Sequence, residues 1–217
     1  MKNFKFLIVV SLLMSFSFSH AGSYEDFFQA LERDDSPTVE NLLRRGFDPN
    51  TPGPNNASPL LNAIRHSAVK AAVVLAAWPA TRVDERNADD ETPLMLAAFN
   101  NFMPVAHLLI ERKADVNKTG WTPLHYAATK GHIEMIRYLL QHHADMDALS
   151  PNGTTPLMMA AHYGNPMATL LLLQQGADPR IKNQLGLSAI DFAQNGPNAK
   201  EAIPLIQTFL SQWNNRK

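Results

Sequence analysis

Apolar residues recur along this chain at helical spacing, in short stretches separated by polar loops. Phe27, Phe28 and Leu31, then Val39, Leu42 and Leu43, mark two helical stretches where the regular pattern begins. Val105, Leu108, Leu109 and Ile110 predict one amphipathic helix further on, and Ile133, Ile136, Leu139 and Leu140 predict another. Ile203, Leu205, Ile206, Phe209, Leu210 and Trp213 form a last apolar face among glutamines and asparagines. Pro204 interrupts that face; because an interior proline costs a helix about 3 kcal/mol, the last helix is expected to begin near it.

The stretches are copies of one another. Ser58-Pro59-Leu60, Thr92-Pro93-Leu94, Thr122-Pro123-Leu124, Thr155-Pro156-Leu157 and the degraded Ser188-Ala189-Ile190 follow at spacings of 34, 30, 33 and 33 residues. Phe47-Asp48-Pro49-Asn50, Ala114-Asp115-Val116-Asn117, Ala144-Asp145-Met146-Asp147 and Ala177-Asp178-Pro179-Arg180 recur with them. A Ser or Thr before Pro is a helix start: the hydroxyl caps free backbone N–H groups, and the proline takes the first helical position, where its missing donor costs nothing. The leucine then points inward. Alanine pairs at 97 and 98, 127 and 128, and 160 and 161 let neighbouring helices approach closely, and Asn101, Gly131 or Gly164 supplies a residue that tolerates a left-handed turn.

Departures from the repeat carry information too. The 30-residue spacing drops three residues between Asp115 and Thr122, so one projecting loop is shorter than its neighbours. Gly46 and Gly176 close two of the second helices in the left-handed region, but Lys113 and His143 hold that position in two others, each at about 1 kcal/mol of backbone strain. Pro52-Gly53-Pro54 before Asn55-Asn56 makes the first loop stiff and polar.

Thr122-Pro123-Leu124-His125-Tyr126-Ala127-Ala128, followed by Gly131-His132 and Ala144-Asp145, resembles the ankyrin repeat, and the resemblance extends over about residues 24 to 213. It implies an all-α solenoid of stacked antiparallel helix pairs with projecting β-hairpin-like loops. Residues 22–217 then divide into an N-terminal capping unit (24–56), repeats at 57–90, 91–119, 120–152 and 153–185, and a C-terminal capping repeat (186–217), the caps keeping the stack soluble. The resemblance also implies where a partner touches: the loop residue before each helix start, here Ala57, Glu91, Trp121, Thr154 and Leu187, and the two residues after each alanine pair. On the concave face those are Arg65 and His66, Phe99 and Asn100, Thr129 and Lys130, and His162 and Tyr163. Phe99, Trp121 and Tyr163 are expected to form an aromatic ladder flanked by Arg65, Glu91, Lys130 and His162, the composition of an interface hot spot. The alternative is that each aromatic packs on its own loop, Trp121 above all.

Composition narrows the function. With a net charge of −1 and no basic run longer than Arg44-Arg45, the chain lacks the clustered cations that nucleic-acid binding requires. Lys2 and Lys5, an apolar run from Phe6 to Phe18 and Ser19-His20-Ala21 read as a signal peptide over residues 1–21, cleaved after Ala21. The run is shorter than the roughly 20 residues of a spanning helix. Loss of Lys2 and Lys5 takes the net charge from −1 to −3. The expected location is the periplasm or, alternatively, the exterior, with no stable membrane insertion. The absence of cysteine leaves the core to hold without disulfides.

Eight histidines invite a metal or acid–base reading, but no His-Glu-x-x-His pair, Gly-x-Ser-x-Gly elbow or glycine-rich phosphate loop is present. His125 and His132 belong to the repeat motif, where the resemblance implies structural hydrogen bonding; His142 and His143 sit at a helix end, which favours cations. Asp34-Asp35 and Asp89-Asp90-Glu91 read as solvated loop charges, the second able to meet a basic partner. The expected protein is a monomeric, non-enzymatic binding scaffold of the cell envelope with a protein partner and neither cofactor nor metal. The alternatives are an inhibitor or immunity protein against an envelope-directed toxin, a secreted effector, or a ligand-binding module.

Overall fold

The computed structural model describes residues 22–54 and 56–214, the side chains of 213 and 214 excepted, and it falls into two compact units that meet in sequence between Arg82 and Val83. The expected signal peptide, Asn55 and the Trp213 side chain lie outside the described residues. The first unit holds α1 over 22–32, α2 (Ser36–Arg44), α3 (Pro59–Arg65) and α4 (Val69–Ala77). The second holds α5 (Pro93–Asn100), α6 (Met103–Glu111), α7 (Pro123–Lys130), α8 (Ile133–Gln141), α9 (Pro156–His162), α10 (Pro166–Gln175), α11 (Ala189–Gln194) and α12 (Ala199–Asn214). Among the described residues there is no strand.

Helix starts follow the Ser/Thr-Pro motif. Ser58 Oγ accepts from the Leu61 N–H at 3.3 Å, Thr92 Oγ1 from Met95 at 3.3 Å, Thr122 Oγ1 from His125 at 3.4 Å and Thr155 Oγ1 from Met158 at 3.3 Å. The leucine behind each proline is buried, as are all three alanine pairs. In the second unit α5, α7, α9 and α11 pack side by side as one row; α6, α8 and α10 each pair with the helix before them, and α12 packs on α10 and α11. The loops between repeats are fingers closed by a backbone bond four residues apart, Gly53 N–H to Ala57 O at 2.9 Å, Asn87 to Glu91 at 3.1 Å, Ser150 to Thr154 at 3.0 Å and Asn183 to Leu187 at 2.9 Å, each with a tighter turn bond inside it.

Lys113 at φ +67° and His143 at φ +63° occupy the left-handed region, as do Gly46 and Gly176, Asn101 and Gly131. Gly164 does not. A Cβ there would meet the Ala128 carbonyl oxygen at 2.5 Å, so this glycine is needed for space between α7 and α9 and not for its φ. Pro204 also departs from expectation: α12 begins at Ala199 and runs through it. The proline lies on the exposed side while Ala202 and Ile206 are buried, so packing holds the helix across the missing hydrogen bond.

Successive loops are tied by side-chain rungs. Asn117 accepts the Asp145 N–H at 2.7 Å and donates to His143 O at 2.8 Å; Asn50 likewise accepts from Arg82 at 2.8 Å and donates to Ala80 O at 2.9 Å. Asp147 accepts the Asp178 N–H at 3.1 Å but has no donor to return. Burial pushes its carboxyl above the ordinary carboxylate range, with Asp178 and Asp145 adding like charge, against the lowering effect of the Asp178 N–H. Asp147→Asn supplies a donor for the Gly176 carbonyl and removes the charge, and is expected to add about 1 kcal/mol at neutral pH in urea denaturation. Because the folded state favours protonated Asp147, that gain should shrink as pH falls through the carboxylate range; a gain independent of pH would contradict the charge argument.

Candidate functional site

The residues beyond each alanine pair emerge where the row of first helices in the second unit ends. Phe99, the penultimate residue of α5, is half-buried and edge-on to Tyr126 of α7, ring centroids 5.9 Å apart. The Lys130 ammonium, one turn on from Tyr126, stands 4.4 Å over the Phe99 ring. Tyr126 donates its hydroxyl to Glu91 Oε1 at 3.0 Å, and the other oxygen of that carboxylate accepts from Asn87 Nδ2 at 2.7 Å. His132 donates from Nε2 to the Phe99 carbonyl at 3.0 Å, fixing the end of α5 from the start of α8. Glu91, Phe99 and Lys130 thus become one polar-rimmed aromatic cluster, joined through Tyr126.

Tyr126 itself was absent from the sequence-derived set. Its signal was an aromatic with a polar tip where the equivalent positions of neighbouring repeats carry Leu96 and Met159. The other candidates make contacts of their own. Trp121 is half-buried and edge-on to His125 at 5.2 Å, while Tyr163 is 58% exposed and meets His162 at 4.1 Å. His162 donates from Nδ1 to Phe192 O at 3.0 Å. Asn100 Nδ2 and Thr129 Oγ1 donate to carbonyls one turn back, Leu96 O at 2.9 Å and His125 O at 2.7 Å. Thr154 is buried and Leu187 exposed. Arg65 and His66 belong to the first unit, where both are exposed and His66 donates from Nδ1 to Asn62 O at 2.9 Å.

His125 is wholly enclosed. Its Nε2 faces the Thr154 carbonyl at 2.9 Å and must donate, whereas Nδ1 receives the Thr122 N–H at 3.2 Å. This is a neutral tautomer fixed at both ends, and burial holds its pKa down at about 4. His142 meets the Tyr138 ring at 4.5 Å and His107 meets it at 4.3 Å, both tilted.

A family model described as Ankyrin repeats (3 copies) matches residues 27–119 and again 105–183. The chain is 34% identical over 139 residues to mouse ankyrin repeat and SAM domain-containing protein 6, covering 63% of this chain and 16% of that protein. It is also 34% identical over 104 residues to rat protein phosphatase 1 regulatory subunit 12A, covering 48% and 10%. It therefore spans only a small part of these relatives. The crystal structure of the human ASB11 ankyrin repeat domain superposes with a TM-score of 0.74 at 24% identity, over 83% of this chain and 81% of that one, a likeness of fold. No helix among the described residues is long and apolar enough to cross a membrane.

Proposed function

This chain belongs to the ankyrin-repeat family, and from that premise we propose that it holds another protein against the inner-helix and finger surface of its second unit. Ankyrin repeats mediate protein–protein interactions, and the family is in general a non-enzymatic binding scaffold. The observation that carries the finer reading is the cluster of Glu91, Tyr126, Phe99 and Lys130. Its side chains already hold one another through the Tyr126 hydroxyl and the Lys130–Phe99 contact, so a partner meets a surface whose ordering cost is largely met before binding. Tyr163, Trp121, His162, Asn100 and Thr129 extend this surface along the row of helices, and Arg65 and His66 supply the equivalent positions of the first unit. The charged and apolar opening of the sequence supports export to the envelope as the setting.

A photoreactive residue at position 99 is expected to crosslink one dominant partner in the native envelope. Phe99→Ala with Tyr163→Ala should weaken capture at least tenfold, about 1.4 kcal/mol, because truncated aromatic anchors dominate interface energies. Helical content should remain and Tm fall by only a few degrees. Unimpaired capture would remove the aromatic surface from the interface, and loss of fold in the double variant would place both residues in the core.

A further inference from the structure

The turns that join first to second helices in the second unit form an edge fastened from repeat to repeat. His132 reaches back to the Phe99 carbonyl, Asn165 Nδ2 donates to Gly131 O at 2.9 Å, and Asn198 Nδ2 donates to Gly164 O at 2.8 Å. Through the second of these bonds the end of α7, with Lys130, abuts the turn that runs from Tyr163 to Met167. Those two residues are 58% and 61% exposed, although both are large and mostly apolar. Residues 148–177 contain no Asp, Glu, Lys or Arg. Where α8 carries the exposed Glu134 and Arg137, the equivalent positions of α10 are Met167 and Leu170. Lys130 is exposed too; its ammonium leans back over the Phe99 ring of the preceding repeat and pairs with no carboxylate among the described residues. Glu91, the acidic member of the same cluster, is occupied by Tyr126 and Asn87.

We propose that this edge receives a segment of a protein partner in which a carboxylate meets Lys130 and the neighbouring residues, apolar and uncharged, cover Tyr163 and Met167. The proposal rests on the protein-binding reading above and names the chemistry of what is bound. Charge sets the first half. A ring face attracts an ammonium without neutralising it, and the N–H groups turned away from the ring can still donate. A carboxylate arriving at Lys130 therefore gains a charge-assisted bond and displaces no existing ion pair. The second half follows from what the next repeat lacks. A Lys, Arg, Asp or Glu buried against Tyr163 and Met167 finds no counter-charge within residues 148–177, and burying a charge unpaired is costly. Apolar side chains meet the opposite condition, since Tyr and Met are enriched and charges depleted at the cores of interfaces. The Asn165 and Asn198 bonds hold the edge in place beforehand, which leaves little ordering for the partner to impose.

The test presents the full chain to a random peptide library displayed on phage and measures the enriched peptides by fluorescence anisotropy. The expected family carries an Asp or Glu beside large apolar residues, with no Lys or Arg among them. Lys130→Glu should weaken the best of these peptides at least tenfold and, in a fresh selection, enrich peptides with Lys or Arg in place of the carboxylate. Met167→Asp should weaken the same peptide about fivefold. Both positions are exposed, and unchanged helical content and Tm in each variant identify the loss as one of contact. A family whose binding ignores Lys130→Glu would overturn the carboxylate assignment, and one that ignores Met167→Asp would overturn the apolar half. A library that yields no enriched family, or one rich in Lys and Arg, would overturn the proposal outright. The selection on the unaltered protein stands even if a variant folds poorly. Crosslinking from position 99 in the native envelope reports on protein binding separately, so failure of the peptide selection leaves that result intact.

Discussion

Acidification from pH 7 to pH 4 is expected to remove about 3 kcal/mol of folding stability through His125 alone, and His125→Gln is expected to lose that dependence. The unfolded imidazole takes its proton near the ordinary value of 6.5, whereas the folded one, enclosed and already donating from Nε2 to Thr154, does so only at about 4. Between those values the unfolded chain binds more protons, so stability rises with pH across the window and is lost as pH falls through it. The slope is about 1.4 kcal/mol per pH unit. A proton added at Nδ1 would confront the Thr122 N–H, so both burial and geometry resist it. Glutamine retains a donor and an acceptor but nothing that titrates. It should cost about 1 to 2 kcal/mol at pH 7 through lost ring packing against Trp121. Urea denaturation of both proteins from pH 7 to 4 makes the comparison, with the remaining titrating groups common to both. Parallel curves would mean that His125 takes up its proton without consequence.

Much of this protein was legible in one sequence because its fold is set by short-range rules repeated at a fixed period. The caps at Ser58, Thr92, Thr122 and Thr155 and the left-handed Lys113 and His143 depend on neighbours a few residues away, and all stand where the pattern placed them. What escaped depends on side chains from different repeats. Lys118 reads as a surface lysine until Asp90, 28 residues earlier in the chain, is brought against it. Tyr126 is one more residue of a helix-start motif until its hydroxyl meets Glu91, at a separation of 35. Periodicity tells which residues turn inward within a unit; it carries no information on which two units supply the halves of a polar pair. Pro204 was misplaced for a related reason, since local propensity argues for a break and burial of Ala202 and Ile206 overrides it.

The glycines make the same distinction testable with the largest expected cost. Gly164→Ala should destabilise the second unit by about 3 kcal/mol or more, whereas Gly186→Ala should cost about 1 kcal/mol, although both glycines stand in turns of the same repeat array. At Gly164 a Cβ would lie 2.5 Å from Ala128 O, 2.9 Å from Ala160 O and 3.0 Å from Ala160 Cα. All three are backbone atoms of α7 and α9, so no side chain can swing aside, and relief requires the two helices to separate along a row packed through buried alanines. Gly196 faces α9 in the same way, its Cβ position 2.6 Å from His162 O. Gly186 is the opposite case: φ is +73° and nothing lies within 4 Å, so an alanine pays only left-handed strain, and Gly186→Asn should pay less. Urea midpoints for the three variants give the ordering, and amide exchange in α7 and α9 should rise in Gly164→Ala alone. If Gly164→Ala proves as mild as Gly186→Ala, the row is loose enough to open by the better part of an ångström. The preset surface at the ends of α5, α7 and α9, on which the proposed binding depends, would then lose its rigid support.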